Sequence, residues 1–306
     1  MDWAAPDVTA ADGPPAPAGA PWRPSAPPPP SLPRLGPRTA SDILDGGFAI
    51  LKRAPATIIA LTAVFVVPVQ ALSAWLNRGA DGVDLDALLE QSDTSFDIGG
   101  SGLDSASAAV LQVGSMLALV FVAAALARLV SAWQVGHDLS LRELLRGSVT
   151  RAWPLLASWV LVHLLEAVSL IGLVLPLAVM TWFLVTAPVI GAEGLGPIDA
   201  MRRSARLTAR RFWVVLGLAL LCLLVETLFE SAIGLLPTLL SGVLGTDGVG
   251  WLLPAVIGIL TSLITIPVVA GITVLIYLDL RVRTEGLDLE LGAIAAFPSD
   301  PAGRPT

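Results

Sequence analysis

Residues 153–192 run for 40 positions in which only His163 and Glu166 can carry charge. A helix crosses about 30 Å of hydrocarbon in about 20 residues, so this stretch is two spans rather than one. Gly172 and Pro176 mark the turn between them and give spans at 153–173 and 175–192. Four further apolar runs reach spanning length, at 55–76, about 108–134, about 212–233 and about 252–278. Segment 234–250 is apolar but interrupted by Gly234 and Pro237, and reads as an outer loop or a short interfacial helix. In lipid every backbone polar group needs an internal partner, so six such runs predict an all-α, polytopic membrane bundle of six transmembrane helices.

Composition agrees. Apolar residues make up 55% of the 306 and charged residues 14%, against about 25% in an ordinary soluble domain. That excludes a soluble enzyme and a disordered protein. The single cysteine, Cys222, excludes a disulfide framework and a cysteine metal cluster. Residues 1–38 hold half of the 24 prolines and cannot pack a core, so they are expected to be a disordered cytoplasmic tail. Asp2 and Asp7 stand where a signal peptide needs basic residues. The membrane domain is then 39–292, and 293–306 form a second disordered tail.

Charge orients the spans. Twelve basic residues flank alternate loops: Lys52, Arg53, Arg142, Arg146, Arg151, Arg202, Arg203, Arg206, Arg210, Arg211, Arg281 and Arg283. The other side has Arg78 alone and a loop, 77–105, with seven acids. The positive-inside rule places both termini in the cytoplasm of a plasma-membrane protein. The tryptophans Trp133, Trp153 and Trp213 fall at the inner interface, and Trp75 and Trp251 at the outer one.

A repeat emerges when the spans are aligned. Arg151-Ala-Trp153 matches Arg211-Phe-Trp213, and thirteen residues after each tryptophan stands a glutamate, Glu166 and Glu226. Segments with helical spacing precede the odd spans at 41–52, 140–151 and 197–211. The expectation is three units, each a short amphipathic cytoplasmic helix followed by a transmembrane hairpin. In 197–211 the residues Ile198, Met201, Ala205 and Leu207 suit an apolar bed. Arg202, Arg203, Arg206, Arg210 and Arg211 supply a positive band for anionic lipid headgroups.

The run Glu193-Gly-Leu-Gly-Pro-Ile-Asp-Ala-Met-Arg-Arg-Ser-Ala-Arg-Leu-Thr-Ala-Arg-Arg-Phe-Trp213 and the ending Tyr277-Leu-Asp-Leu-Arg-Val-Arg-Thr-Glu-Gly-Leu-Asp-Leu-Glu290 resemble the membrane domain associated with glycerophosphoryl diester phosphodiesterases. The resemblance covers roughly 35–292. It implies a multi-span helical domain of the bacterial plasma membrane. In the fused enzymes catalysis belongs to a separate soluble barrel, for which this sequence has no room, so no catalytic residue is carried over.

A search for chemistry returns no phosphate loop, dinucleotide fingerprint or zinc signature. Gly99-Gly-Ser-Gly102 sits in the acidic loop without an adjacent base, and no nucleophile–base pair can be named elsewhere. The expectation is a protein that is not an enzyme, with no cofactor, no metal site and no nucleic-acid partner. Within the spans, Arg128 lies near the inner end and can snorkel. His163 and Glu166 share one helix face, and Glu226 and Glu230 another, as an intramembrane polar cluster. Two functions survive. One is a non-catalytic membrane protein that organises or senses lipid through its basic helices; the other is a transporter or channel for a small solute or ion, built on the buried acids. Membrane lipid is the partner the residues indicate; pairing with copies of the chain or with another membrane protein is left open. The topology makes the first prediction: a cysteine placed at Ser92 reacts with an impermeant thiol reagent in whole cells and one at Ser204 does not. The reverse labelling would overturn it.

Overall fold

Apolar segments with no water around them close their hydrogen bonds within helices. The computed structural model describes residues 36–76, 102–170, 172, 175–244 and 252–289, all within one unit, Leu32–Thr306. Among these residues there are helices and no strand: α1 Ala40–Arg53, α2 Pro55–Leu76, α3 Gly102–Gln134, α4 Leu141–Thr150, α5 Ala152–Ser169, α6 Leu175–Phe183, α7 Thr186–Glu193, α8 Pro197–Ala209, α9 Phe212–Leu244 and α10 Leu252–Glu285. Five segments are long and apolar enough to span. A sixth is added if Pro197–Ala209 and Phe212–Leu228, bent by 103°, count as one. The chain is a polytopic helical membrane bundle. The expected tails, most of the acidic loop and the Gly-Ser string up to Ser101 lie outside the described residues.

The element order repeats three times: a short helix, a first span, a second span. Thr39 caps α1 and Ser140 caps α4, each in a capping box closed by Asp42 or Glu143; α8 follows Gly196 with Pro197 in its first turn. Hydrogen bonds from Thr39 and from Ser140 hold the Asp42 and Glu143 carboxyls below the usual range. A depressed folded pKa means that what these caps add is fully present above the ordinary carboxylate range, about pH 4, and is lost only as pH falls through the lower folded value. The three second spans end alike, at Gly136, Gly194 and Gly286, with φ of 76°, 70° and 69°. A left-handed residue ends a helix at least cost when it is glycine. These are the only positive-φ residues among those described.

The units close into a ring. The second spans α3, α6–α7 and α10 meet in the middle, and each first span packs on its own partner and on the second span of the unit before it. Burial follows: 56% of the Ala255–Glu285 window and 39% of each of the other two second spans are buried, against 28% for α2 and 11% for α5. Each short helix likewise sits on the second span of the preceding unit: α4 on α3, α8 on α6 and α7, and α1 on α10. These seats put the starts of the first spans and the ends of the second spans at one basic end. The fit is close. A Cβ on Gly47 would lie 2.7 Å from Ile272 and 2.9 Å from the Val268 carbonyl, and one on Gly147 would overlap the Arg128 guanidinium. Counting from the helix caps, Gly47, Ser148 and Ser204 are equivalent, and all three are buried small residues.

The fourth span falls at Leu175–Glu193, with a two-residue break at Leu184 and Val185 between α6 and α7, because Pro188 lacks the N–H that would bond the Leu184 carbonyl and its ring crowds that group. Two expectations are corrected. The fifth helix continues through Gly234 and Pro237 to Leu244, where a loop or separate interfacial helix was expected, since helix is the economical backbone in apolar surroundings. Ser204 is fully buried, its hydroxyl donating to the Trp182 carbonyl at 2.8 Å, so the inner labelling site belongs at exposed Ala209 instead. Central packing yields the second prediction. A Cβ on Gly191 would come within 2.1 Å of the Ala124 carbonyl, backbone that cannot move aside. Gly191→Ala therefore lowers stability by about 2 kcal/mol or more in a detergent unfolding titration, and Gly194→Ala by about 1 kcal/mol. Equal losses would contradict the packing of α7 on α3.

Candidate functional site

Most of the described polar density lies at the basic end, where the two runs that carry the family resemblance meet. Glu193 is the last residue of α7, and Arg203 lies midway along α8. By the cap register Arg203 is the counterpart of Gly46 and Gly147; where those helices have no side chain, α8 sends a guanidinium across the junction. Its Nε donates to both Glu193 carboxylate oxygens, at 3.2 and 3.0 Å, and its Nη2 to Oε1 at 3.1 Å. The same guanidinium donates to Glu285 through Nη1, at a short distance, and through Nη2 at 2.9 Å. Glu193 and Glu285 each stand directly before a chain-reversing glycine, Gly194 and Gly286.

Tyr277 and Arg281 close the circuit. The fully buried Tyr277 hydroxyl donates to Glu193 Oε1 at 2.8 Å and accepts from Arg281 Nη1 at 3.3 Å, and Arg281 Nε donates to Glu285 Oε2 at 3.1 Å. Tyr277, Arg281 and Glu285 share one face of α10 because they are four residues apart. Two carboxylates and two guanidinium groups balance, which a partly buried network requires. Burial opposes the Arg203 charge, but the hydrogen bonds it donates to Glu285 and Glu193 outweigh it and hold the group above the usual arginine range.

Asp279 and Arg283 look the other way. Asp279, 7% exposed, accepts from the Arg38 backbone N–H at 2.8 Å and from Arg283 Nε at 2.9 Å, and pairs with Arg211 Nη1 at 3.6 Å. Arg283 Nη2 donates to the Arg38 carbonyl at 2.9 Å. The last span is thereby tied to the residue preceding α1 and to the corner between α8 and α9.

The five arginines expected to contact lipid do not form one band. Helical spacing sets Arg202, Arg206 and Arg210 on an exposed stripe, while Arg203 and Arg211 turn to protein carboxylates. Arg202 is 3.9 Å from exposed Asp199, a weak pair. In the spans, His163 and Glu166 are brought to 3.8 Å. His163 Nδ1 donates to the Trp159 carbonyl at 2.9 Å, and its ring lies tilted against Trp159, the centroids 4.3 Å apart. Both are about one-third exposed, on a helix whose Val160, Leu164 and Val168 face outward. Glu226 is half-buried on α9, one turn from Cys222, and α6 packs against both α5 and α9. The Glu230 side chain lies outside the described residues. Among the described residues no three His, Cys, Asp or Glu groups converge as metal ligands. Arg128 reaches back to the Glu143 carbonyl at 3.5 Å under Gly147.

Sequence reasoning passed over Glu193, Glu285, Asp279 and Tyr277 as site residues. The signal was there: Tyr277 is the only tyrosine of the chain, at the polar end of an apolar span, four residues before Arg281. The chain matches no protein-family model, no curated protein and no solved structure. The clamp yields the third prediction. Arg203→Gln leaves two carboxylates facing each other and lowers stability by about 2 kcal/mol, and Arg203→Lys recovers little because one ammonium cannot fork to both acids. Arg202→Gln changes stability by under about 0.5 kcal/mol in the same unfolding measurement. Equal effects at 202 and 203 would contradict the clamp.

Proposed function

We propose that this chain is a non-catalytic plasma-membrane protein that organises or senses anionic lipid, with both termini and the basic end in the cytoplasm. The observation that carries this reading is the division of labour on α8. Ala200, Met201, Ser204, Leu207 and Thr208 are buried against the bundle, and Arg202, Arg206 and Arg210 project from the opposite side. Trp153 and Trp213, 76% and 79% exposed, begin the two adjacent first spans, where amphipathic rings favour the headgroup level. The described interior also weighs toward lipid contact over transport. Ala123, Ala124, Ala125, Leu126 and Ala127 fill it with Val189, Ile190, Val274 and Leu275. Buried Thr62, Ser148, Ser158, Thr181 and Thr208 bond carbonyls of their own helices.

A relationship to the phosphodiesterase-associated membrane domain is part of the proposal. Its support is that the residues of the two motif runs, far apart in sequence, form one hydrogen-bonded circuit. The experiment uses Trp153 and Trp213, the two most exposed of the described tryptophans. In reconstituted vesicles, brominated phosphatidylglycerol quenches the parent's fluorescence more strongly than brominated phosphatidylcholine. Arg202→Gln/Arg206→Gln/Arg210→Gln reduces that preference about tenfold or more, at about 1 kcal/mol per basic residue. An unchanged preference would overturn the reading.

A further inference from the structure

The second short helix carries a different surface. On α4, Leu144, Gly147 and Ser148 are buried against the bundle. Two adjacent ridges lie beside this face: exposed Arg142 and Arg146, four residues apart, and, at the same spacing, Leu141 and Leu145, half-buried against the core, with exposed Val149. Together these five residues line a surface groove of about 610 Å³, within the size range of small-molecule sites. Both arginines are exposed, and neither has a carboxylate partner among the described residues. The nearest acid in sequence, Glu143, is occupied by its cap, accepting from the Ser140 N–H at 2.8 Å and the Ser140 hydroxyl at 2.6 Å.

The repeat accounts for one of the two at most. By the cap register the matching positions are Ser41 and Asp45 in α1 and Ile198 and Arg202 in α8, so α4 alone carries an arginine at both. A general need for positive charge does not explain why the pair lies along an apolar row. Val149, 73% exposed, ends that row just before Trp153, 76% exposed. Two guanidinium forks whose Cβ atoms stand about 6 Å apart can grip one phosphate from two sides. The apolar row beside them suits hydrocarbon, which a free phosphate does not bring.

We propose that α4 holds a headgroup site for an anionic phospholipid, Arg142 and Arg146 binding the phosphate while Leu141, Leu145 and Val149 receive the start of an acyl chain. The site rests on the lipid reading above, which places α4 at the headgroup layer, and adds to it a discrete, saturable site.

The test is native mass spectrometry of the full chain in detergent, titrated with dioleoyl phosphatidylglycerol. The parent retains one lipid saturably. Arg142→Gln/Arg146→Gln binds it about tenfold more weakly with an unchanged thermal midpoint, and Arg142→Lys/Arg146→Lys recovers most of the loss because charge is restored. Lys52→Gln, which removes an exposed cation from α1, keeps the parent's retention, and inorganic phosphate at the same concentration does not displace the lipid. Parent-like retention in Arg142→Gln/Arg146→Gln would overturn the site, and displacement by inorganic phosphate would overturn its assignment to lipid. Loss confined to the α4 variant, with quenching selectivity unaltered in the α8 triple variant, would leave this site standing and refute the α8 reading; the opposite pattern would refute the site alone.

Discussion

Everything at the basic end depends on how closely each short helix approaches the second span of the unit before it. Apolar burial cannot drive helices together in lipid as it does in water, so association rests on close packing and on polar contacts. The three junctions solve this in different ways. At α1 and α10, Gly47 and Gly271 let backbones meet, a Cβ on Gly271 lying 3.3 Å from Gly47 Cα. At α4 and α3, Gly147 leaves room for the Arg128 guanidinium. At α8, Ser204 and Thr208 both donate to the Trp182 carbonyl, and Arg203 reaches across to Glu193 and Glu285. A ring of three units closes only if all three junctions hold.

The ionic junction has its own consequence. A partly buried charge network is costly unless every member is paired, and truncating one member costs more than the intact network contributes. Arg203 joins the ends of two second spans, so α8 reports on the relative position of α7 and α10. Its outward stripe is meanwhile free of that duty, because Arg202, Arg206 and Arg210 lie on the opposite side of the helix. The inner face fastens the bundle and the outer face stays exposed.

Span positions were legible because length and apolarity decide them. The first span falls at Pro55–Leu76 and the second at Ala108–Gln134, as the sequence implied. The three-unit order was legible from Trp153, Trp213 and the flanking arginines. The ring was not, because it depends on which residue at each junction is small, and Gly47, Ser148 and Ser204 fall into register only once the helix caps are known. The break at Leu184 was not legible because Pro188 lies inside an uninterrupted apolar run and its effect falls four residues earlier. The clamp was missed because Arg203 looks like its neighbours in sequence; only the helical angle separates it from Arg202.

The fold therefore presents a closed bundle that gathers its positive charge on short helices held rigidly at one end. The central claim is the closure of the ring, the seating of α1 on α10. A Cβ placed on Gly46 lies 3.7 Å from Leu275 Cγ, within reach of a disulfide once both residues are cysteine. The direct measurement is oxidation of Gly46→Cys/Leu275→Cys in a Cys222→Ser background, followed by cleavage at a protease site inserted at 85–95. The account predicts that the two fragments stay joined until a reductant is added. Separation of the fragments after oxidation would contradict it.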